Sequence, residues 1–345
     1  MNYSMNRYLT ITALLLLASC SPKGQQDLPD IANQDANSQN TSHSNNRSNS
    51  YGSQNKLLNV DVSKYAANPA LYYGMDLNNP VKSLTEKEVL SHLERVLNLA
   101  HIQGSNDEAD KISDKCSPEQ NCYKHRVYRY RQARKYLFGL LHLEKLSGKD
   151  AVQDIYCGDI YLDGDKVSGQ RINLGVDTIP TANVINTEHS WPKARFDNLH
   201  GRTQTREHTY DAKLTDLHHL YPTDSEVNRE RATYHFAEVS KITKPLKCAN
   251  VKLGTVDGLK GKYKSYVYFE PPTPYKGNIA RGLMYMSVKY EMPINDIEEK
   301  FLRKWHNEDP VDSDEIIRNN RIHQVQGVRN PFIDFPSLES QISNF

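Results

Sequence analysis

The stretches NTEHSWPKARF at residues 186–196 and TDLHHLYPTDSEVNRERATYHF at 215–236 decide how this chain is read. The first places an acid and a histidine, Glu188 and His189, at the end of an apolar run, and the second carries Asn228 on a helical pattern. Successive side chains of an extended segment point to opposite sides, so Glu188 can face a cation while His189 faces a water. A hard divalent cation takes carboxylate, amide oxygen and water as ligands. A neutral imidazole beside it strips a proton from an attacking water. Hydrolysis of a phosphodiester at one metal ion needs these parts.

The flanking sequence supplies the frame. Thr85-Glu86-Lys87-Glu88 is a capping box ahead of Val89, Leu90, Leu93, Val96 and Leu97 at helical spacing. Residues 123–146 have the length and composition of a second helix, with Tyr128, Ala133, Leu137 and Leu141 inward and Lys124, Arg126, Arg129, Arg131 and Lys135 outward. Its basic residues and tyrosines suit a phosphate backbone, but helical phase already explains most of these positions as a solvated amphipathic helix whose tyrosines pack in the core. Short apolar runs at 155–162 and 182–185 read as strands, with turns at Gly158, Gly164 and Gly169. Thr223-Asp224-Ser225-Glu226 is a second capping signature that starts the helix of Asn228, and further helices are expected over 279–290 and 295–305. Helices dominate and strands are few, so the expected fold class is α+β: a mixed, helix-rich single domain.

Four blocks of the chain resemble, in order, the bacterial endonuclease I family, nucleases of the ββα-metal (His-Me finger) class. They are YRQARKYLFG at 130–139 followed by DIYCGDIY at 154–161, the 182–236 segment, FEPPTPYKGNIARGLMYM at 269–286, and RNNRIHQVQGVRNPFIDFP at 318–336. The resemblance implies a hairpin-plus-helix site embedded in the domain, with His189 as general base and Glu188 and Asn228 as metal ligands. It implies Mg2+ as the ion, with Ca2+ or Mn2+ as alternatives, and DNA, alternatively RNA, as a substrate cut without sequence specificity to 5′-phosphate products. An arginine gripping the scissile phosphate is also implied; the excursion FDNLHGRTQTREHTYDAK at 196–213 offers Arg202 first and Arg206 second. Arg206, Arg229 and Arg231 are candidate substrate contacts; Arg229 and Arg231, which follow Asn228 on its helix, alternatively hold the backbone or an ion pair. Trp191 either packs in a turn with Pro192 or stacks a base. Asp216, His218 and His219 are expected to orient the site rather than bind the ion. The C-terminal Gln326, Gly327, Asn330 and Pro331 resemble a structural clasp.

A net charge of +1 over 345 residues is not that of a strongly basic nucleic-acid module. Local charge must serve instead, and Lys193, Arg195, Arg202, Arg206, Arg229 and Arg231 crowd the candidate site. The N-terminus has the form of an export signal over residues 1–19, and Leu17-Ala18-Ser19-Cys20 resembles a lipoprotein cleavage site that makes Cys20 a lipid acceptor. An ordinary secretory signal is the alternative. Residues 20–60, rich in Asn, Ser and Gln, cannot bury enough apolar surface to offset their ordering entropy and read as a disordered tether. The nuclease-like domain is then 61–345, a monomer with no evident protein partner, exported and held at the outer membrane by lipid, or periplasmic or secreted. Of the 5 cysteines, Cys116, Cys122, Cys157 and Cys248 remain for disulfides. Three pairings are possible; the short loop between Cys116 and Cys122 favours their pairing and leaves Cys157 with Cys248. A zinc hydrolase lacks close-spaced ligand pairs. A noncatalytic surface lipoprotein that captures DNA would be expected to have lost Glu188, His189 or Asn228. Mass spectrometry of membrane-extracted protein should find a lipid-modified Cys20 at the mature N-terminus; an unmodified N-terminus elsewhere refutes the lipoprotein reading.

Overall fold

Thr85 opens the first long helix as its sequence requires: its hydroxyl accepts from Glu88 N while Glu88 Oε2 accepts from Thr85 N at 2.7 Å. The resulting helix, Glu86–Asn98, buries Val89, Leu93, Val96 and Leu97. A computed structural model describes Leu58 and residues 62–78, 84–117, 121–196 and 210–345. The export signal, Cys20 and all of the expected tether except Leu58 lie outside the described residues, as do Arg202 and Arg206.

The centre is the helix Lys276–Tyr290, buried along nearly its whole length. Against it lie the helices Glu86–Asn98 and Asp296–Glu308, the latter capped by Asn295 onto Ile297 N. The helix Ser313–Gln326, closed by Gly327 in the left-handed region, reaches it through Glu315, which pairs with Arg281. Small sheets surround this bundle. One runs, in spatial order, His235–Phe236, Tyr268–Glu270, Lys252–Thr255, Lys241–Lys244, with its first pair parallel and the others antiparallel. Two three-stranded sheets and two hairpins complete the described strands. The expected α+β class holds.

The second helix is shorter than its sequence suggests. Tyr123 pairs with His101 in a strand, Arg129 is extended, and α-helix covers only Tyr130–Tyr136 before a π-turn at Leu137–Leu141. Tyr128, Ala133, Leu137 and Leu141 are nonetheless all buried. Gly139 is required within the π-turn, because a Cβ there would stand 2.8 Å from Asp177 N. The apolar run 155–162 also divides: strands occupy Lys149–Gln153 and Ile160–Leu162, and a turn lies between them. Asp154 imposes that turn by accepting from Tyr156 N and Cys157 N. The short run 182–185 enters its strand only at Ile185, which opens Ile185–His189.

The disulfides join Cys116 to Cys122 and Cys157 to Cys248. Among the described residues no helix is long and apolar enough to cross a membrane.

One buried carboxylate gathers several elements. Asp216 Oδ2 accepts from Tyr285 and Tyr290, each at 2.8 Å, and Oδ1 from Gln326 Nε2 at 2.9 Å and His218 N at 3.1 Å. His125 lies 3.9 Å from Oδ2. Burial presses the pKa of His125 and of His218 down to about 3, against the pull of Asp216. The fold therefore keeps these imidazoles neutral, whereas the unfolded chain takes up protons below about pH 6.5. Their contribution to stability is intact above that pH and is lost as pH falls towards about 3. The thermal midpoint should decline from about pH 6.5 downwards; a midpoint flat to pH 4 would contradict burial of neutral histidines.

Candidate active site

The strand Ile185–His189 pairs antiparallel with Leu220–Asp224, setting Glu188 opposite Tyr221 and His189 opposite Leu220. The helix Ser225–Arg231 follows without a linker. Its cap is Asp224, whose carboxylate accepts from Glu226 N and Val227 N, one residue later than the Thr223 of the sequence signature. Thr223 is committed to the hairpin, opposite Asn186. Asp154 accepts from Asp224 N at 2.9 Å and so pins the strand-to-helix corner. From that corner the helix runs beside the hairpin, and Asn228 Nδ2 donates to Thr187 O at 3.1 Å. Glu188, His189 and Asn228 thereby line one cleft of about 380 Å3, together with Tyr130, Lys193 and Arg229.

Each side chain is held from behind. Glu188 Oε1 accepts from the Tyr156 hydroxyl at 2.9 Å and lies 3.3 Å from Arg231. Burial raises the Glu188 pKa, while Arg231 and Tyr156 oppose the rise. His189 Nε2 lies 3.1 Å from Leu214 O and so carries the ring proton, leaving Nδ1 as the basic nitrogen. Burial, and then His219, hold the His189 pKa well below its ordinary value. The imidazole is neutral near pH 7, as a base must be.

Glu188 and Asn228 fit a hard cation. The bond from Nδ2 to Thr187 O turns the Asn228 amide oxygen away from that strand carbonyl, and Oε2 of Glu188 has no hydrogen bond among the described residues. A carboxylate and an amide oxygen in one open cleft leave water positions on an ion, which suits Mg2+. His218 and His219 do not join them: His218 Nε2 faces Val328 O at 3.2 Å and His219 Nε2 faces Lys213 O at 2.8 Å. Among the described residues the one group of three acids and cysteines close enough to chelate is Asp154, Cys157 and Asp159. Its Cys157 is in a disulfide and its Asp154 is occupied by backbone donors.

For two residues the structure favours one of the alternatives that the sequence left open, packing over contact with substrate. Trp191 is buried and donates from Nε1 to Arg195 O at 3.2 Å, so its ring packs in the turn and is not offered to a base. Arg231 is buried as well, donating to His189 O at 3.2 Å and Ser190 O at 2.6 Å. It braces the strand end instead of presenting its guanidinium to substrate. Arg229 is exposed on the cleft rim. Tyr130, placed by the sequence only among the tyrosines of the basic segment 123–146, lines the cleft, and Tyr156, to which the sequence gave no role, holds Glu188. Both lie in the quoted upstream blocks, but nothing in their spacing shows which face they share.

The sequence pattern of the endonuclease I family matches residues 112–337. This chain belongs to the endonuclease I family. It is 32% identical over 179 residues to an extracellular ribonuclease of Bacillus amyloliquefaciens, a match covering 46% of this chain and 53% of that protein. The chain thus spans about half the length of that relative. An extracellular deoxyribonuclease of Aeromonas hydrophila is 30% identical over 190 residues, with 52% of this chain and 80% of that protein covered. An endonuclease-1 of Buchnera aphidicola subsp. Baizongia pistaciae is 30% identical over 205 residues, covering 55% and 81%.

Arg231→Met should destabilise the fold by about 3–5 kcal/mol, because it leaves the buried Glu188 carboxylate without its counter-charge. Adding Glu188→Gln should recover part of that loss. Urea unfolding of the single and double variants measures the coupling, and strictly additive losses would deny it.

Proposed function

We propose that this protein is a metal-dependent endonuclease that hydrolyses phosphodiester bonds of DNA, with RNA as a further substrate, without sequence specificity. The observation that carries the reading is the convergence of Glu188, His189 and Asn228 on one cleft at the junction of hairpin and helix. His189, neutral and fixed through Nε2, takes the proton of the attacking water at Nδ1. Glu188 and Asn228 hold Mg2+, with Mn2+ or Ca2+ as alternatives. The bound ion supplies Lewis-acid stabilisation of charge on the phosphoryl and leaving oxygens. Departure of the 3′-oxygen leaves a 5′-phosphate. Arg229 meets the backbone from the cleft rim, and the clamp on the scissile phosphate falls to Arg202, or alternatively Arg206. Phosphate contacts carry no base information, which supports non-specific cutting. The Bacillus and Aeromonas relatives are extracellular proteins by name, which supports export here. The further reading of Cys20 as a lipid anchor at the outer membrane rests on the Leu17-Ala18-Ser19-Cys20 pattern alone.

Incubation of the purified domain with plasmid DNA, with and without EDTA, tests the reading. Magnesium-dependent nicking is expected, and His189→Ala should lower the rate by about 10²–10⁴ while DNA binding persists. Asn228→Ala should raise the magnesium concentration for half-maximal activity. Cleavage at full rate by His189→Ala would remove that residue as the base.

A further inference from the structure

Beside the cleft runs a second groove of about 490 Å3, lined by Tyr130, Arg131, Arg134, Lys135, Asp177 and Ile179. Tyr130 belongs to both cavities. Its ring centroid lies 5.7 Å from that of His189, 5.9 Å from Arg134 Cζ and 6.0 Å from Lys193 Nζ. Arg134 sits between the Tyr130 and Phe138 rings, yet its Nε and one terminal nitrogen are buried with no hydrogen-bond acceptor among the described residues. A guanidinium presents donors in a fixed fork that matches phosphate oxygens, and buried donors without acceptors are costly. Arg131 is exposed at the same groove. The acid facing them is Asp177, already paired with Lys135 at 2.6 Å. That pair is internally balanced, so the charges of Arg131 and Arg134 remain for an incoming anion.

We propose that this groove is a second phosphate subsite, which receives a backbone phosphate next to the scissile one while Tyr130 carries the intervening nucleotide. The inference rests on the nuclease reading, since it takes the strand to run from His189 across Tyr130 to Arg134. It explains why donors are left without acceptors beside an aromatic face: a nucleic-acid strand supplies an oxyanion and a stacking surface together.

The test measures binding of a DNA duplex in EDTA over a range of salt concentrations, and turnover of the same duplex and of bis(p-nitrophenyl) phosphate in magnesium. Arg134→Gln and Arg131→Glu are compared with the wild type, the latter being an exposed change that spares the core. Each variant should weaken DNA binding about tenfold and flatten the salt dependence by about one phosphate contact. Turnover of the small diester, which has one phosphate, should stay within about twofold of the wild type. Unchanged affinity and salt slope in both variants would overturn the subsite. So would an equal loss of both substrates in Arg131→Glu, because the groove would then act on the reaction and not on a remote phosphate. A wild type that binds DNA with the groove-dependent slope but cleaves neither substrate would end the nuclease reading and leave the subsite standing.

Discussion

The Arg231 guanidinium is the joint of this site. It leaves the last turn of the helix that carries Asn228, and it ends against the carbonyls of His189, the last residue of the strand that carries Glu188, and of Ser190 just past it. Beside it, the Asn228 amide donates to Thr187 O and ties the middle of the helix to the same strand. The guanidinium also stands 3.3 Å from the Glu188 carboxylate and 4.4 Å from the face of Phe236. Burying a carboxylate is costly unless it is paired and hydrogen-bonded; Arg231 supplies the pairing and Tyr156 the hydrogen bond. Glu188 is thus held ionisable and oriented before any ligand arrives.

Further out, Asp154 and Asp216 bind the site to the rest of the chain in different ways. Asp154 serves backbone: it shapes the turn that presents Tyr156 and pins the start of the site helix. Asp216 serves side chains from the central helix and from the end of the helix Ser313–Gln326. Gln326 answers twice, donating to Asp216 and accepting from Leu217 N at 2.8 Å. The C-terminal clasp thereby acquires a chemical reason, since it fixes the segment leading into the second strand of the hairpin.

What the sequence disclosed follows from how local each signal is. The helix after Thr85 was legible because cap and apolar phase lie in the same few residues. Residues 123–146 showed their inward positions but not their breaks, because pairing of Tyr123 with His101 is a contact between distant parts of the chain. The helix Ser313–Gln326 was hidden by inverted polarity: Arg318, Asn319, His323 and Gln326 are buried, whereas Ile316 and Ile317 are exposed. At the site, Glu188, His189 and Asn228 could be chosen from residue type, order and resemblance. The claims of neighbours could not be read in that way. Trp191 and Arg231 were left with two roles each, because nothing in the sequence shows that Arg195 O and Ser190 O take their donors.

Charge gives the same lesson on a larger scale. A net charge of +1 looks unsuited to a polyanion, but net charge counts groups that no ligand can feel. Much of the acid here is spent inside the fold: Glu298 on Arg195 and His235, Glu315 on Arg281, Asp334 on Arg329, and Glu270 on Lys276. Pairs of this kind cancel at short range, and their field beyond about a Debye length of 8–10 Å is small. Arg131, Lys193 and Arg229, by contrast, are exposed at the two cavities. A strand approaching that face meets positive charge in excess of what the whole-chain sum suggests. The position of each charge relative to its partners, and not the total, sets the potential that a phosphate backbone encounters.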